Sequence, residues 1–168
     1  ARALAHMAPE LRTVPVCVVG AREAFFRYAA ELGLSFDEGA WTFLEPGSDE
    51  EQVEVASVRW GVKACLEQRA SALVTGPIHK AKLARSGFSH TGHTDFIGSL
   101  CEVERPVMAF IGGPVRVALV TVHVPLRSVP SQVTAPRVAH TIRVAHRALV
   151  AQLKLSDPHL TVCGLNPH

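Results

Sequence analysis

The 168-residue sequence has four cysteines, Cys17, Cys65, Cys101 and Cys163, far apart and with no Cys-x-x-Cys pair. That spacing excludes a zinc knuckle and offers no disulfide framework. Cys17 and Cys163 fall inside apolar runs and Cys65 on a helical face, so the cysteines are expected to be reduced, buried, small hydrophobes. There is no Gly-x-Gly-x-x-Gly, which excludes the Rossmann fingerprint for a dinucleotide. No Gly-x-Ser-x-Gly elbow is present, and nothing suggests the paired carboxylates of a glycosidase. A net charge of +2 with 19% charged residues gives no concentrated basic face for nucleic acid and argues against disorder. The basic residues His140, Arg143, His146 and Arg147 read as a solvated helix face. Long hydrophobic runs are lacking too. The most apolar stretch, 107–126, is broken by Gly112-Gly113-Pro114 and Arg116, so it reads as two strands around a turn and not as a membrane span. The first residues lack the charged stretch, apolar run and cleavage site of a signal peptide. A cytoplasmic protein with no membrane or nucleic-acid partner is therefore expected.

What is present is enough apolar sequence, 48% of the chain, for one globular domain with a core. Residues 1–10 resemble the tail of a helix. An apolar run at 14–19 suits a buried strand, Gly20 a turn, and 22–32 a helix. The stretch 33–49 is loop-like with a short strand at 41–44. A helix is expected over 49–68, with Val58, Val62, Cys65 and Leu66 on one face. Residues 72–75 read as another buried strand, broken at Gly76-Pro77, followed by a short helix over 78–85 ended by Gly87. A helix over 94–101 and strands at 106–111 and 115–122 follow. The connection between these two strands is short, so they should be antiparallel. Thr134 is placed to cap a helix with Pro136 in its first turn, and Val138, Ile142, Ala145, Leu149 and Leu153 give that helix an apolar stripe. A last strand is expected at 160–163. Alternating helices and buried strands define an α/β class, a mostly parallel sheet with helices on both faces and one antiparallel pair. No internal domain boundary is evident.

Three groups of residues could carry chemistry. In Val74-Thr75-Gly76-Pro77-Ile78-His79-Lys80, a strand, a turn and a helix start would present backbone N–H groups to an anion, with Lys80 adding charge. The spacing is not that of a phosphate loop, and from spacing alone an ordinary strand-to-helix connection is the better account. In Ser89-His90-Thr91-Gly92-His93-Thr94-Asp95, Thr94 suits an N-cap and Asp95 a first helical turn, which leaves His93 unexplained. Finally, His123 and His168 each stand beside a Pro at the end of an apolar β-branched run. Strand ends are where α/β sheets bind ligands, and two imidazoles there suit a metal or a polar catalytic site.

Thr75-Gly76-Pro77-Ile78-His79-Lys80, Gly92-His93-Thr94-Asp95, the run from Val117 to Leu126 through His123, and Gly164-Leu165-Asn166-Pro167-His168 resemble, in order and approximate spacing, the 4-hydroxythreonine-4-phosphate dehydrogenase family. The likeness extends from about Val14 onward. It implies an isocitrate/isopropylmalate dehydrogenase-like fold, which binds NAD without a Rossmann fingerprint. It also implies oxidation of the secondary alcohol of 4-phosphohydroxy-L-threonine with NAD or NADP and a divalent metal (Zn, Mg or Co), on the route to pyridoxal 5′-phosphate. The β-keto acid formed then loses carbon dioxide. By the resemblance His93 and Thr94 contact the substrate and His123 and His168 bind metal; Thr75, Gly76 and Lys80 stay a candidate anion loop from the strand-turn-helix pattern alone. A metal there would act as a Lewis acid on the substrate hydroxyl. The family's third histidine ligand and its phosphate-binding groups lie further along the chain, with the site at a homodimer interface. His79 stands where many members carry Asn, and Asp95 where many carry Glu. The sequence begins after the family's Gly-Asp-Pro-rich segment and ends on a metal ligand. The expectation is a central portion, incomplete at both ends and inactive alone.

Competing readings remain at this point. Related branches act on threonate or erythronate phosphate. A non-catalytic remnant of the fold is a second possibility, and a metal-dependent hydrolase built on His90, His93 and Asp95 a third.

Overall fold

The computed structural model describes residues 14–34, 41–46, 52–78, 88–90 and 92–166. The described residues form a mixed α/β structure of four short strands and five α-helices, in two compact units, residues 1–104 and 105–168.

In the first unit, β1 (Val16–Val19) pairs in parallel with β2 (Trp41–Leu44), Val16 opposite Trp41 and Val19 opposite Leu44. Gly20 ends β1 at φ +151°, a backbone that side-chain-bearing residues rarely adopt, and its N–H donates to the Leu44 carbonyl at 2.9 Å. Helix α1 (Arg22–Glu31) follows and packs Phe25 and Phe26 against Phe43 of β2, with ring centroids 5.3 and 5.0 Å apart. The carboxylate of Glu45, just past β2, accepts from the Arg22 backbone N–H and so satisfies one of the otherwise free donors at the start of α1.

Helix α2 (Val53–Leu66) turns Val55, Val58 and Val62 inward, where they meet Phe96 of α3 (His93–Leu100). Leu73, Ile78, Phe88, Ile97, Leu100 and Cys101 pack around these four residues. Gly61 makes close packing possible here: a Cβ on it would lie 2.6 Å from Leu73 Cδ1.

In the second unit, β3 (Ala109–Phe110) and β4 (Val117–Ala118) form the expected antiparallel pair, Ala109 opposite Ala118. A 3-10 turn (Leu126–Ser128), the short α4 (Val129–Gln132) and the long α5 (Ala135–Ala151) follow. The imidazole Nε2 of His140 on α5 lies 2.9 Å from the Arg105 carbonyl.

Several expectations are corrected. The parallel and antiparallel pairs are two separate two-stranded sheets among the described residues, not one mostly parallel sheet. Residues 72–75 and 160–163 are not strands. Val74 is 93% exposed and Val162 58%, and neither run pairs with a strand among the described residues. An apolar, β-branched run becomes a strand only where its backbone N–H and C=O groups find a ladder, and composition alone cannot supply one. The antiparallel strands are two residues each, where 106–111 and 115–122 were expected. Cys17 and Cys163 are exposed, and Cys65 and Cys101 only half-buried. Leu66, assigned to the inner face of α2, is 61% exposed because that face centres on Val55, Val58 and Val62. Thr134 does occupy the N-cap of α5, but its side chain makes no capping hydrogen bond. Thr94 is not an N-cap: Gly92 holds that position, and α3 begins at His93. The helices expected over 1–10 and 78–85 lie outside the described residues, apart from Ile78.

Candidate functional site

The site grows from the packing of α3 on α2. Phe96, 4% exposed, is the anchor. It fills the space between α2 and the segments on either side of α3, and so fixes the direction in which the first turn of α3 points. His93 is the first residue of that turn and Thr94 the second. The imidazole of His93 is half-buried. Its Nε2 is sealed from solvent and has no hydrogen-bond partner among the described residues. A buried polar atom left unpaired costs about 1–3 kcal/mol, so such atoms are rare and call for an explanation. A polar group brought against it would supply one, and His93 is the first residue of α3, whose N-terminal end favours an anion.

Around Phe96 lie one guanidinium and two aromatic rings. The Arg59 guanidinium on α2 stands over the Phe96 ring at 5.5 Å. The His90 ring lies 5.3 Å from Phe88 and 5.1 Å from Phe96. Its Nδ1 is 3.4 Å from Oδ2 of Asp95, the third residue of α3.

The same cluster brings two of the sequence motifs together. Leu73 and Ile78, which flank Thr75-Gly76, pack against the four core residues that also hold Phe88 and Ile97, which flank His93. Thr75 and Gly76 themselves are exposed, and the space beside Gly76 is open. Lys80 lies outside the described residues.

His123 belongs to the second unit. It was expected at a strand end, but β4 stops at Ala118 and His123 sits in an exposed bend. Its φ of +55° is left-handed, a conformation His tolerates better than bulkier or β-branched residues. Its expected partner His168 lies outside the described residues. No group of three His, Cys, Asp or Glu side chains among the described residues could hold a metal ion. The described donors therefore do not by themselves make a cation site, and His90, His93 and Asp95 do not form the centre a hydrolase would need.

Sequence reasoning missed the part played by Arg59, for which an exposed arginine in a helix gives no signal. It named His90 only as an alternative metal ligand, and Asp95 as that or as a first-turn helix residue. Their spacing across a helix start, between Phe88 and Phe96, was the available clue to a pair.

Residues 21–168 match the family described as pyridoxal phosphate biosynthetic protein PdxA. The chain belongs to that family. It is 41% identical over 114 residues to the 4-hydroxythreonine-4-phosphate dehydrogenase of Thioalkalivibrio sulfidiphilus, a match covering 68% of this chain and 34% of that one. It is 33% identical over 180 residues to the enzyme of that name from Prosthecochloris aestuarii, covering 90% of this chain and 53% of the other. With the corresponding Vibrio vulnificus protein it shares 42% over 104 residues, 62% of this chain and 32% of that one. The chain thus spans between about a third and about half of the length of these relatives.

Proposed function

We propose that the chain contributes substrate-binding residues to a 4-hydroxythreonine-4-phosphate dehydrogenase. In this reading the enzyme oxidises the secondary alcohol of 4-phosphohydroxy-L-threonine with NAD or NADP, and the β-keto acid then loses carbon dioxide on the way to pyridoxal 5′-phosphate. One observation carries the reading: the buried, unpartnered Nε2 of His93 at the start of α3. An imidazole nitrogen presented there can donate to or accept from a polar group of the substrate, depending on its tautomer. Thr94 next to it offers a hydroxyl with both donor and acceptor capacity. The substrate is anionic, and the first turn of a helix with free N–H groups favours an anion. Thr75 and Gly76, on a loop tied by Leu73 and Ile78 to the same core, are proposed to line the site, with Lys80 supplying charge.

His123 and His168 are proposed as two ligands of a divalent cation (Zn, Mg or Co). Because the described donors do not complete a cation site, no chemical step is assigned to that metal. The isocitrate/isopropylmalate dehydrogenase-like fold, the homodimer with a site at its interface and a cytoplasmic location belong to the same proposal and rest on kinship with the family. No helix of the described residues is long and apolar enough to cross a membrane.

The test is NAD(P)H formation by the purified full gene product with 4-phosphohydroxy-L-threonine, and with threonate and erythronate phosphates as a panel. Turnover of the first, lost in His93→Ala, supports the reading. Turnover of a sugar-acid phosphate alone reassigns the substrate, and turnover of none refutes the proposal.

A further inference from the structure

The groups around Phe96 include one pair that the reaction does not require. His90 comes before α3 and Asp95 is in its first turn, so their contact spans the N-cap Gly92 and reaches past both His93 and Thr94. Gly92 has no side chain with which to cap the helix, and its backbone is fully extended (φ 166°, ψ −169°). The extended backbone on its own does little to fix the angle at which the chain enters α3. His90 supplies that constraint twice. Its ring is held against Phe88 on the incoming segment and Phe96 in the core, and its Nδ1 faces the Asp95 carboxylate at 3.4 Å. Phe88 and Phe96 also meet edge to face, with centroids 5.1 Å apart, so the three rings form one packed unit. Arg59 approaches Phe96 separately, at 5.5 Å.

We propose that His90 is a positioning residue: strapped to Asp95 across the N-cap and packed against both Phe88 and Phe96, it sets the orientation of His93 and Thr94. This rests on the reading of His93 and Thr94 as substrate-binding residues. A geometric shift of about 1 Å in such groups is enough to cost up to a hundredfold in rate, which is why a remote strap would matter. His90 touches neither substrate nor cofactor in this scheme and acts through Asp95 and Phe96.

The experiment uses the full gene product, three single variants and one double variant. His90→Phe keeps a ring between Phe88 and Phe96 but removes the nitrogen facing Asp95. His90→Gln keeps a donor without the ring, and Asp95→Asn alters the other partner. Amide hydrogen exchange is the readout that does not depend on activity. In His90→Phe, exchange at Phe96, the first amide of α3 with a backbone acceptor (the Gly92 carbonyl), is expected to rise about tenfold, the size of effect of losing one polar contact. Exchange within Val53–Leu66 stays unchanged, and His90→Gln recovers part of the protection. Unchanged exchange at Phe96, or an equal rise throughout α2, overturns the proposal. In kinetics, His90→Phe is expected to lower kcat/KM about tenfold, and His90→Phe combined with Asp95→Asn to be no worse than Asp95→Asn alone. Wild-type activity in His90→Phe, or additive losses in the pair, also overturns it. Absence of turnover in the wild-type protein counts against the proposed function instead, and the exchange measurement still decides the role of His90.

Discussion

A buried imidazole nitrogen with nothing to bond to is a cost the fold carries without return unless something binds there. His93 is such a residue, and its removal should therefore separate stability from function. His93→Ala sacrifices no hydrogen bond seen in the structure, so its thermal midpoint should fall by only a few degrees, while kcat/KM drops by about tenfold or more. A calorimetric scan beside a steady-state assay checks both halves. Glu67 illustrates the opposite case, an exposed group whose partners are all visible. Its carboxylate accepts from Arg69 Nε at 2.8 Å and lies 2.7 Å from the same guanidinium's NH2 nitrogen, with Lys63 at 3.8 Å. The hydrogen bond from Arg69 and the nearby positive charges hold the Glu67 pKa below the ordinary glutamate value. A depressed carboxyl contributes stability above its unfolded-state pKa and loses that contribution as pH falls through the folded one, so any effect is confined to the acid side. Because the pair is exposed, the contribution is small and screened by salt. An NMR titration should show the Glu67 carboxyl moving up toward its ordinary value in Arg69→Ala, and no change there would contradict the assigned cause.

Among the elements, three helices stop in the same way. After α1, the Gly33 N–H donates to Ala30 and the Leu34 N–H to Ala29. After α2, Gln68 donates to Cys65 and Arg69 to Ala64. After α3, Glu102 donates to Ser99 and Val103 to Gly98. This is the Schellman arrangement, with the residue beyond the cap left-handed: φ is +64° at Gly33, +58° at Gln68 and +56° at Glu102. Only α1 uses the residue that adopts this backbone freely. A left-handed L-residue costs roughly 1–2 kcal/mol, against roughly 0.5–1 kcal/mol for glycine's extra chain entropy. Gln68→Gly and Glu102→Gly should each stabilise the fold by about 0.5–1 kcal/mol, read as a higher denaturant midpoint at unchanged slope. The start of α5 teaches the converse. Thr134 stands at the N-cap with no capping bond, so Thr134→Ala should change stability by less than about 0.5 kcal/mol, where an engaged cap would cost about 1. Periodicity located α2 and α5 because it reports which face can be buried, and it gave no sign of the short α4. It placed the inner face of α2 correctly at Val58 and Val62 but extended it to Leu66, the last residue of the helix, which is exposed.

For the molecule as a whole, the strands were the less legible part. The runs at 16–19 and 41–44 are strands because each meets the other; those at 72–75 and 160–163, equally apolar, meet no strand among the described residues. Of the site, the segment around His93 was legible in the sequence as an imidazole that no capping role explained. Its link to Thr75-Gly76 was not, because it runs through Leu73, Ile78, Phe88 and Phe96, whose sequence spacing says nothing about their meeting. The metal proposal belongs to this scale, since its ligands lie far apart along the chain. Dialysis of the full gene product against a chelator should abolish turnover, and Zn, Mg or Co should restore it. His123→Ala should lower the bound metal measured by elemental analysis, while metal content equal to wild type would remove His123 from the ligand set.

The amino-acid order alone settled what is written locally: where helices run, where chemistry-bearing side chains stand along them, and to which family the motifs belong, because period, turn residues and short motifs are properties of neighbours in the chain. Folding in three dimensions decided which apolar runs became strands, that Phe96 would gather two distant motifs around one core, and that His93 would be sealed from water without a partner. Each of these depends on which residues, remote in sequence, come to share a ladder or a cavity, and pairing and burial of that kind are set only when the chain packs on itself.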